Sequence, residues 1–137
     1  DCRVGSHCVL ASYAALGGHA VVEDHAVLGA MTGVHQFARI GESAFTAANA
    51  MVSQDIPPFA KVAGDRARFA GLNRVGLERR GIPLASQHAL HHAFHLLYHS
   101  KLRRQLAFGR MRDECAGVPE VLRLLAFLEA SERGFVR

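Results

Sequence analysis

Large aliphatic residues recur at every sixth position between Val4 and Val52. Eight of these nine positions hold Val, Leu or Ile, and Thr46 is the exception. The residue four places after each of the first eight is small, Ala at six of them and Cys8 or Thr32 at the other two. Self-similarity at this period predicts one short strand and one turn per unit, with three units closing a triangular coil that buries its core only against its neighbours.

We therefore predict a parallel β-helix over residues 1–57. Its strands stack about 4.8 Å apart, the large residues fill the prism, and the small residues pack where the chain turns. The hexapeptide pattern is typical of the left-handed form. Pro57 and Pro58 end the pattern because proline removes ladder donors.

The rest of the chain changes from this period to a helical one, so the predicted fold class is β-solenoid plus α. Residues 58–84 form a connecting segment in which Gly64-Asp65 marks a turn. Residues 85–137 form a small helical subdomain with helices at 85–99 and 101–115 and a third opened by Pro119. The predicted buried residues are Leu90, Ala93, Phe94 and Leu97, then Leu102, Leu106 and Met111, then Val121, Leu124, Leu125 and Leu128, with Gly134 as the last helix cap.

Residues eighteen apart should lie above one another in such a helix. Asp1, His19 and Phe37 then form one column, and Gly18 and Gln36 form the next.

Histidines in two parts of the chain raise the question of a metal site. His7 and His25 form a third column, but zinc needs three or four converging ligands, so we interpret the pair as a solvent-facing ladder. A stripe of histidines on the first predicted helix lies opposite the apolar residues of that helix, and we interpret it as a solvated face. The members of that stripe are His88, His92, His95 and His99.

Charge is concentrated in residues 61–112, which hold eleven Lys or Arg against two acidic residues. This block suits a phosphorylated small molecule or an acidic protein. Nucleic acid is disfavoured because no nucleic-acid motif accompanies the block. Arg74, Arg79 and Arg80, close to Gly81, suit a diphosphate because guanidinium groups pair with phosphate oxygens. The alternative for this segment is a solvated charge run.

The cysteine content indicates the cellular compartment of the protein. Three Cys, two of them at small-residue positions of the repeat, do not form a disulfide framework, so we predict the cytoplasm. No apolar stretch is long enough for a transmembrane helix. The chain begins in mid-repeat without Met, and we therefore expect a fragment or a processed piece.

Three stretches carry a resemblance to a known family. Residues 28–37 (LGAMTGVHQF), 52–58 (VSQDIPP) and 76–81 (GLERRG) resemble the acyl-carrier-protein–UDP-N-acetylglucosamine O-acyltransferases of lipid A biosynthesis. The similarity continues to Arg133-Gly-Phe-Val-Arg137 at the end of the chain. It implies a homotrimer without cofactor or metal that moves a 3-hydroxyacyl group from acyl carrier protein to the 3-hydroxyl of UDP-N-acetylglucosamine.

The resemblance also implies roles for individual residues. The general base would be a His directly before Asp1, absent from this sequence, with Asp1 as the carboxylate that orients it. Gly18 matches the glycine whose N–H stabilises the oxyanion, and His19 matches a residue lining the site. The positions matched to sugar-nucleotide binding are His35, Gln36, Asn73, Arg79 and Arg80.

Two further roles concern the acyl donor. Ala48 and Arg66 match the acyl-chain ruler, and the methyl of Ala48 predicts a medium-length chain. An acidic carrier protein would be steered by the basic block. Its proposed docking residues are Arg66, Arg68, Lys101, Arg103, Arg104, Arg110 and Arg112.

Departures from the family pattern and alternative functions stay open. Val75 stands where the family commonly has Glu, and Asp65 replaces the Asn of a Gly-Asn turn. The alternatives are a related N-acyltransferase acting on a glucosamine substrate, a non-catalytic hexapeptide module and a metal-dependent hydratase. The chain by itself is expected to be inactive, because the base and half of the cleft are missing.

Overall fold

The computed structural model describes residues 1–137 and begins with nine two-residue strands spaced six residues apart. Parallel pairing joins strands three units apart into three faces, with Arg3 opposite Val21 in the first pair. The first face is β1-β4-β7, the second contains β2-β5-β8 and the third is β3-β6-β9. The strands are β1 Arg3–Val4, β2 Val9–Leu10, β3 Ala15–Leu16, β4 Val21–Val22, β5 Val27–Leu28, β6 Gly33–Val34, β7 Arg39–Ile40, β8 Phe45–Thr46 and β9 Met51–Val52.

The repeat residues form the core as the pattern predicts from Ala20 onward, whereas Val4 and Leu10 of the first coil are 49% and 40% exposed. Side chains such as Leu28 and Ile40 are completely buried, and so are the small residues Ala20, Ala26 and Ala44. The residue before each small one has a positive φ. This left-handed backbone turns the chain at each corner, and the residues that adopt it include none of the β-branched types that tolerate it least. They are His7, Tyr13, His19, His25, Met31, Phe37, Ser43 and Asn49.

Coils stack so closely that some positions have no room for a side chain. A Cβ at Gly41 would lie 2.4 Å from the backbone nitrogen of Pro58, and one at Gly17 would lie 2.5 Å from that of Gln36. Both residues follow the large aliphatic position of their unit. At Gly17 and Gly41, glycine is therefore required by contact between coils.

Thr46, the exception in the aliphatic series, has a hydroxyl partner. Its Oγ1 lies 2.8 Å from Oγ1 of Thr32 and accepts a 3.2 Å hydrogen bond from the Gly29 N–H. Both threonines are completely or almost completely buried. The hydroxyl groups of Thr32 and Thr46 are therefore hydrogen-bonded to each other inside the prism.

We expect Thr46→Val to destabilise the fold by about 1 kcal/mol although it completes the aliphatic series, because it leaves the buried Thr32 hydroxyl with a poorer partner. Urea denaturation would measure the change. Thr32→Ala combined with Thr46→Val should cost less than the two single changes added together, because the pair is coupled. Strict additivity would contradict the pairing.

The segment after β9 is a β-hairpin followed by a short helix. β10, Ala60–Ala63, pairs in parallel with β8 and antiparallel with β11, Arg68–Leu72. The turn predicted at Gly64-Asp65 lies between these strands. Helix α1, Arg74–Arg79, was not predicted; the Asn73 side chain caps it by accepting from the Gly76 N–H.

Three helices complete the chain: α2 Leu84–Tyr98, α3 Arg104–Glu114 and α4 Pro119–Ala130. The buried faces predicted for α2 and α4 are observed, with Leu97 half-buried, but the face predicted for α3 is wrong in part. Leu106 is 60% exposed, and α3 packs instead through Ala107, Phe108 and Met111. The buried face of α3 is therefore rotated about the helix axis, away from Leu106.

Gly134 does not cap α4. The helix ends four residues earlier, with Ser131 at its cap. Gly134 adopts a φ of +84° at the start of a tail that pairs with the end of the β-helix. The glycine is therefore used for a turn into this tail, which is why it resembles a helix-ending signal in the sequence.

Asp55 joins the β-helix, α4 and the tail. Its Oδ1 accepts from the Arg39 N–H at 2.9 Å, and its Oδ2 accepts from the Ser131 hydroxyl at 2.7 Å. Its own backbone N–H and C=O bond to Gly134 and Val136 at 3.0 Å each. One buried core continues from the β-helix into the helices, and the division at residues 57 and 84 stays a prediction. None of the helices has the length and apolarity needed to cross a membrane.

Candidate functional site

One corner of the β-helix carries the predicted catalytic column. The ring of His19 stacks on Phe37 with 4.8 Å between centroids and an interplanar angle of 4°. His19 Nε2 lies 3.8 Å from Oδ2 of Asp1 in the coil below. Asp1 and His19 line a cleft of about 570 Å³ together with Cys2, Arg3 and Val21. The eighteen-residue spacing thus brings an imidazole and a carboxylate together at an open surface.

Gly18 and Gln36 stand beside this column. The Phe37 N–H donates to the Gly18 carbonyl at 3.0 Å, and the Gly18 N–H donates to no acceptor within the chain. A Cβ at Gly18 would meet nothing within 4 Å, so coil packing does not require glycine here. An exposed, unpaired N–H is compatible with the predicted oxyanion role, which stays a prediction.

The neighbouring corner carries the histidine ladder. His7 and His25 stack with 4.8 Å between ring centroids. Partial burial, the positive charge of Arg80 and the neighbouring His7 together lower the pKa of His25. No group of three His, Cys, Asp or Glu side chains converges in an arrangement that could hold a metal ion.

Asn73, predicted to bind the nucleotide, has structural partners for both ends of its amide. Its Oδ1 caps α1, and its Nδ2 donates to the Ser43 carbonyl at 2.8 Å. The residue is buried at the edge of a cleft of about 420 Å³. Lys61, Arg74 and His91 also line this cleft, so it is basic, and Val75 lies at its rim.

The two arginines predicted to hold phosphates differ in their surroundings. Arg79 is exposed on α1. Arg80 donates to Oε2 of Glu42 at 3.1 Å and to the Ser43 hydroxyl at 2.6 Å. Glu42 also pairs with Arg123 of α4. Arg80 is therefore held in place by an ion pair, whereas Arg79 is free to reach a ligand.

A groove of about 1160 Å³ runs along the β3-β6-β9 face. His35 and Arg66 line it, and Ala48 lies in the turn between β8 and β9. His35 Nδ1 is 3.2 Å from Nη2 of Arg133 and 3.0 Å from the Gln36 carbonyl. Nδ1 of His35 thus lies between a guanidinium donor and a carbonyl acceptor.

The residues predicted to dock a carrier protein divide into paired and unpaired charges. Arg110 pairs with Glu114, and Arg112 pairs with Glu129. Arg104 lies over the Phe135 ring, with its Cζ 4.5 Å from the centroid. The members of the predicted set without an ion pair are Arg66, Arg68, Lys101, Arg103 and Arg104.

Three charged residues of the site have no role in the sequence-based prediction. One is Glu42, which holds Arg80. The others are Arg133 and Arg137, which belong to a motif of the family resemblance and line the large groove. Their spacing around Phe135 and Val136, which are buried, is the signal that could have shown them to project outward.

Comparison with known proteins gives a consistent result over the whole chain. The family model of UDP N-acetylglucosamine O-acyltransferase, domain 2, matches residues 55–136. The acyl-[acyl-carrier-protein]–UDP-N-acetylglucosamine O-acyltransferase of Janthinobacterium sp. (strain Marseille) is 44% identical over 141 aligned positions, covering 100% of this chain and 54% of the relative. The enzyme of that name from Myxococcus xanthus is 46% identical over 107 residues, covering 78% of this chain and 42% of the relative.

Solved structures agree. The Arabidopsis UDP-N-acetylglucosamine acyltransferase superposes with a TM-score of 0.95 at 33% identity, covering 100% of this chain and 51% of that one. The predicted left-handed parallel β-helix with its helical carboxyl-terminal part is thereby confirmed. The chain spans about half the length of the curated relatives it matches.

Proposed function

The chain belongs to the UDP-N-acetylglucosamine O-acyltransferase family, and from this we propose that the protein acts in transfer of a 3-hydroxyacyl group from acyl carrier protein to the 3-hydroxyl of UDP-N-acetylglucosamine. The observation that carries the proposal is the similarity at 40–46% identity to relatives bearing that name, which extends over the entire chain in most of them. The basic clefts support it, because both substrates carry phosphate.

The proposed mechanism uses the Asp1 corner. A His directly before Asp1, which the resemblance implies, would remove the proton from the sugar 3-hydroxyl, and Asp1 would orient that base. The hydroxyl oxygen attacks the thioester carbonyl, and the Gly18 N–H stabilises the oxyanion that forms. When this intermediate collapses, the C–S bond breaks and the thiol of the carrier leaves with the proton held by the base. His19 lies beside Asp1 and would line the same reaction site.

We also propose that the active protein is a homotrimer and works in the cytoplasm. The exposed corner residues Tyr13, Met31 and Phe37 support an assembly, because they present apolar side chains at 50% exposure or more. Cross-linking of the natural protein in solution would test the oligomeric state.

An assay of the natural full-length protein with UDP-N-acetylglucosamine and 3-hydroxyacyl carrier proteins of graded length tests the function. We expect transfer to the 3-hydroxyl, fastest for a medium-length chain, because the resemblance assigns Ala48 to the acyl-chain ruler and its methyl would shorten the acyl pocket. Each methylene changes discrimination by about 1–3 kcal/mol in such a pocket. The longest donor being fastest would contradict the length proposal alone. Absence of transfer from every donor would contradict the function.

Carrier docking should depend on the unpaired charges. We expect Arg103→Glu with Arg104→Glu to raise the KM for acyl carrier protein about tenfold at low salt, because they lose attraction to an acidic partner. Arg110→Glu with Arg112→Glu makes the same change in charge at residues already paired with Glu114 and Glu129, and should have a smaller effect. Steady-state kinetics at two salt concentrations would measure both. Equal effects of the two pairs would contradict docking at the unpaired residues.

A further inference from the structure

The groove on the β3-β6-β9 face is the largest of the three clefts described above, and two of its basic residues, Arg133 and Arg137, have no role so far. Its lining includes Ala15, Gly17 and Gly33, whose side chains are short or absent. Such a lining leaves room for an extended ligand to lie against the backbone.

Four guanidinium groups line this groove, against one carboxylate, that of Asp65. They belong to Arg66, Arg68, Arg133 and Arg137. None of the four takes part in an ion pair within the chain, whereas all seven ion pairs of the structure lie elsewhere. The groove therefore carries a concentrated positive charge that no side chain neutralises.

Two of these arginines are held by the tail. The Phe69 N–H donates to the Arg137 carbonyl at 2.7 Å, and the tail also bonds on both sides of Asp55. Arg133 donates through Nη2 to the Ser53 carbonyl at 3.0 Å and through Nε to the same oxygen at 3.3 Å. Because Phe135 and Val136 are buried between them, the side chain of Arg133 and the backbone of Arg137 are held at the groove before any ligand arrives.

We propose that this groove binds a phosphate group of a substrate and that Arg133 and Arg137, together with Arg66 and Arg68, are its phosphate-binding residues. Guanidinium forks match phosphate oxygens in pairs, which a scattered surface charge does not do. Arg80, held by Glu42, leaves fewer donors at the segment first predicted to bind phosphate, so a second set of arginines is chemically reasonable.

Two ligands could supply the phosphate, and this choice rests on the proposed function. One is the phosphodiester that links pantetheine to the carrier protein, and the other is the diphosphate of the nucleotide sugar. Calorimetric titration of the natural full-length protein with 4′-phosphopantetheine and, separately, with UDP distinguishes them. Pantetheine and uridine, which lack phosphate, are the matched ligand controls.

We expect Arg133→Gln with Arg137→Gln to raise the Kd of one of these two phosphorylated probes about tenfold or more, since charge-assisted hydrogen bonds are lost. The single change Arg137→Gln should weaken the same probe by a smaller factor. Because the Arg137 side chain makes no hydrogen bond or ion pair within the chain, this variant keeps the fold intact. Arg39→Gln removes one positive charge, as Arg137→Gln does, but from the β1-β4-β7 face away from the groove, and should leave both Kd values unchanged.

Weakening confined to phosphopantetheine assigns the groove to the acyl donor, and weakening confined to UDP assigns it to the nucleotide. Unchanged binding of both probes in the groove variants would overturn the proposal, and so would equal weakening by Arg137→Gln and the control Arg39→Gln. These titrations need no turnover. If the groove binds a phosphorylated probe but the protein transfers no acyl group, the proposed function is contradicted and the phosphate site is retained.

Discussion

Replacing Asp1 with Ala should lower kcat for acyl transfer about a hundredfold to ten-thousandfold, the range that positioned acid–base groups contribute. The carboxylate stands at the open corner beside His19, where a base on the preceding residue would need orientation and a stabilising negative charge. Asp1→Asn keeps the size of the side chain but loses the charge, and should recover little of the rate.

The pH dependence separates orientation from a structural effect. A carboxylate beside a base favours its protonated form, so its removal lowers the pKa of that base. The acid limb of the kcat/KM profile should therefore move to lower pH in Asp1→Ala. Asp113→Ala, on the exposed side of α3, is the control and should leave both the rate and the profile unchanged. An unchanged kcat in Asp1→Ala would contradict the assigned role.

The sequence was sufficient for the β-helix because its determinants are local and repeat. Each unit needs a large residue inside, a small one at the corner and a backbone that can turn between them, so a six-residue period specifies the fold and even the stacking of His19 on Phe37. Helix α1 escaped prediction because six residues carry too few apolar positions to show a period.

The charged contacts of the site could not be predicted in the same way. Arg80 meets Glu42 across 38 residues, and Arg133 meets His35 across 98. Such partners are brought together only when the helices and the tail pack on the end of the β-helix. The resemblance named Arg80 as a phosphate ligand, but only the fold shows that a carboxylate competes for it.

The tail also explains why a short motif near residue 55 has a structural role. From the sequence, Gln54-Asp55-Ile56 is predicted to end the β-helix, and it belongs to a stretch that resembles the family. In the fold, the Asp55 side chain replaces a missing strand partner by accepting from the Arg39 N–H. The next coil is thus completed by a side chain and by the tail.

Replacing Asp55 with Ala should reduce the free energy of unfolding by about 3 kcal/mol, because two hydrogen bonds to a buried carboxylate are lost and the Arg39 N–H and the Ser131 hydroxyl lose their partner. Asp55→Asn keeps an acceptor for the Arg39 N–H and should cost less. Urea denaturation at a fixed protein concentration measures each variant, since any assembly would make stability depend on concentration.

Asp113→Ala serves as the matched control, because an exposed carboxylate of α3 should change stability by less than about 0.5 kcal/mol. A stability of Asp55→Ala equal to that control would contradict the role of Asp55. Since the backbone of Asp55 also pairs with Gly134 and Val136, a loosened Asp55 should release the tail that carries Arg133 and Arg137. Faster amide hydrogen exchange at Val136 in Asp55→Ala, with exchange at Leu28 unchanged, would show that this one carboxylate couples the end of the β-helix to the arginines of the groove.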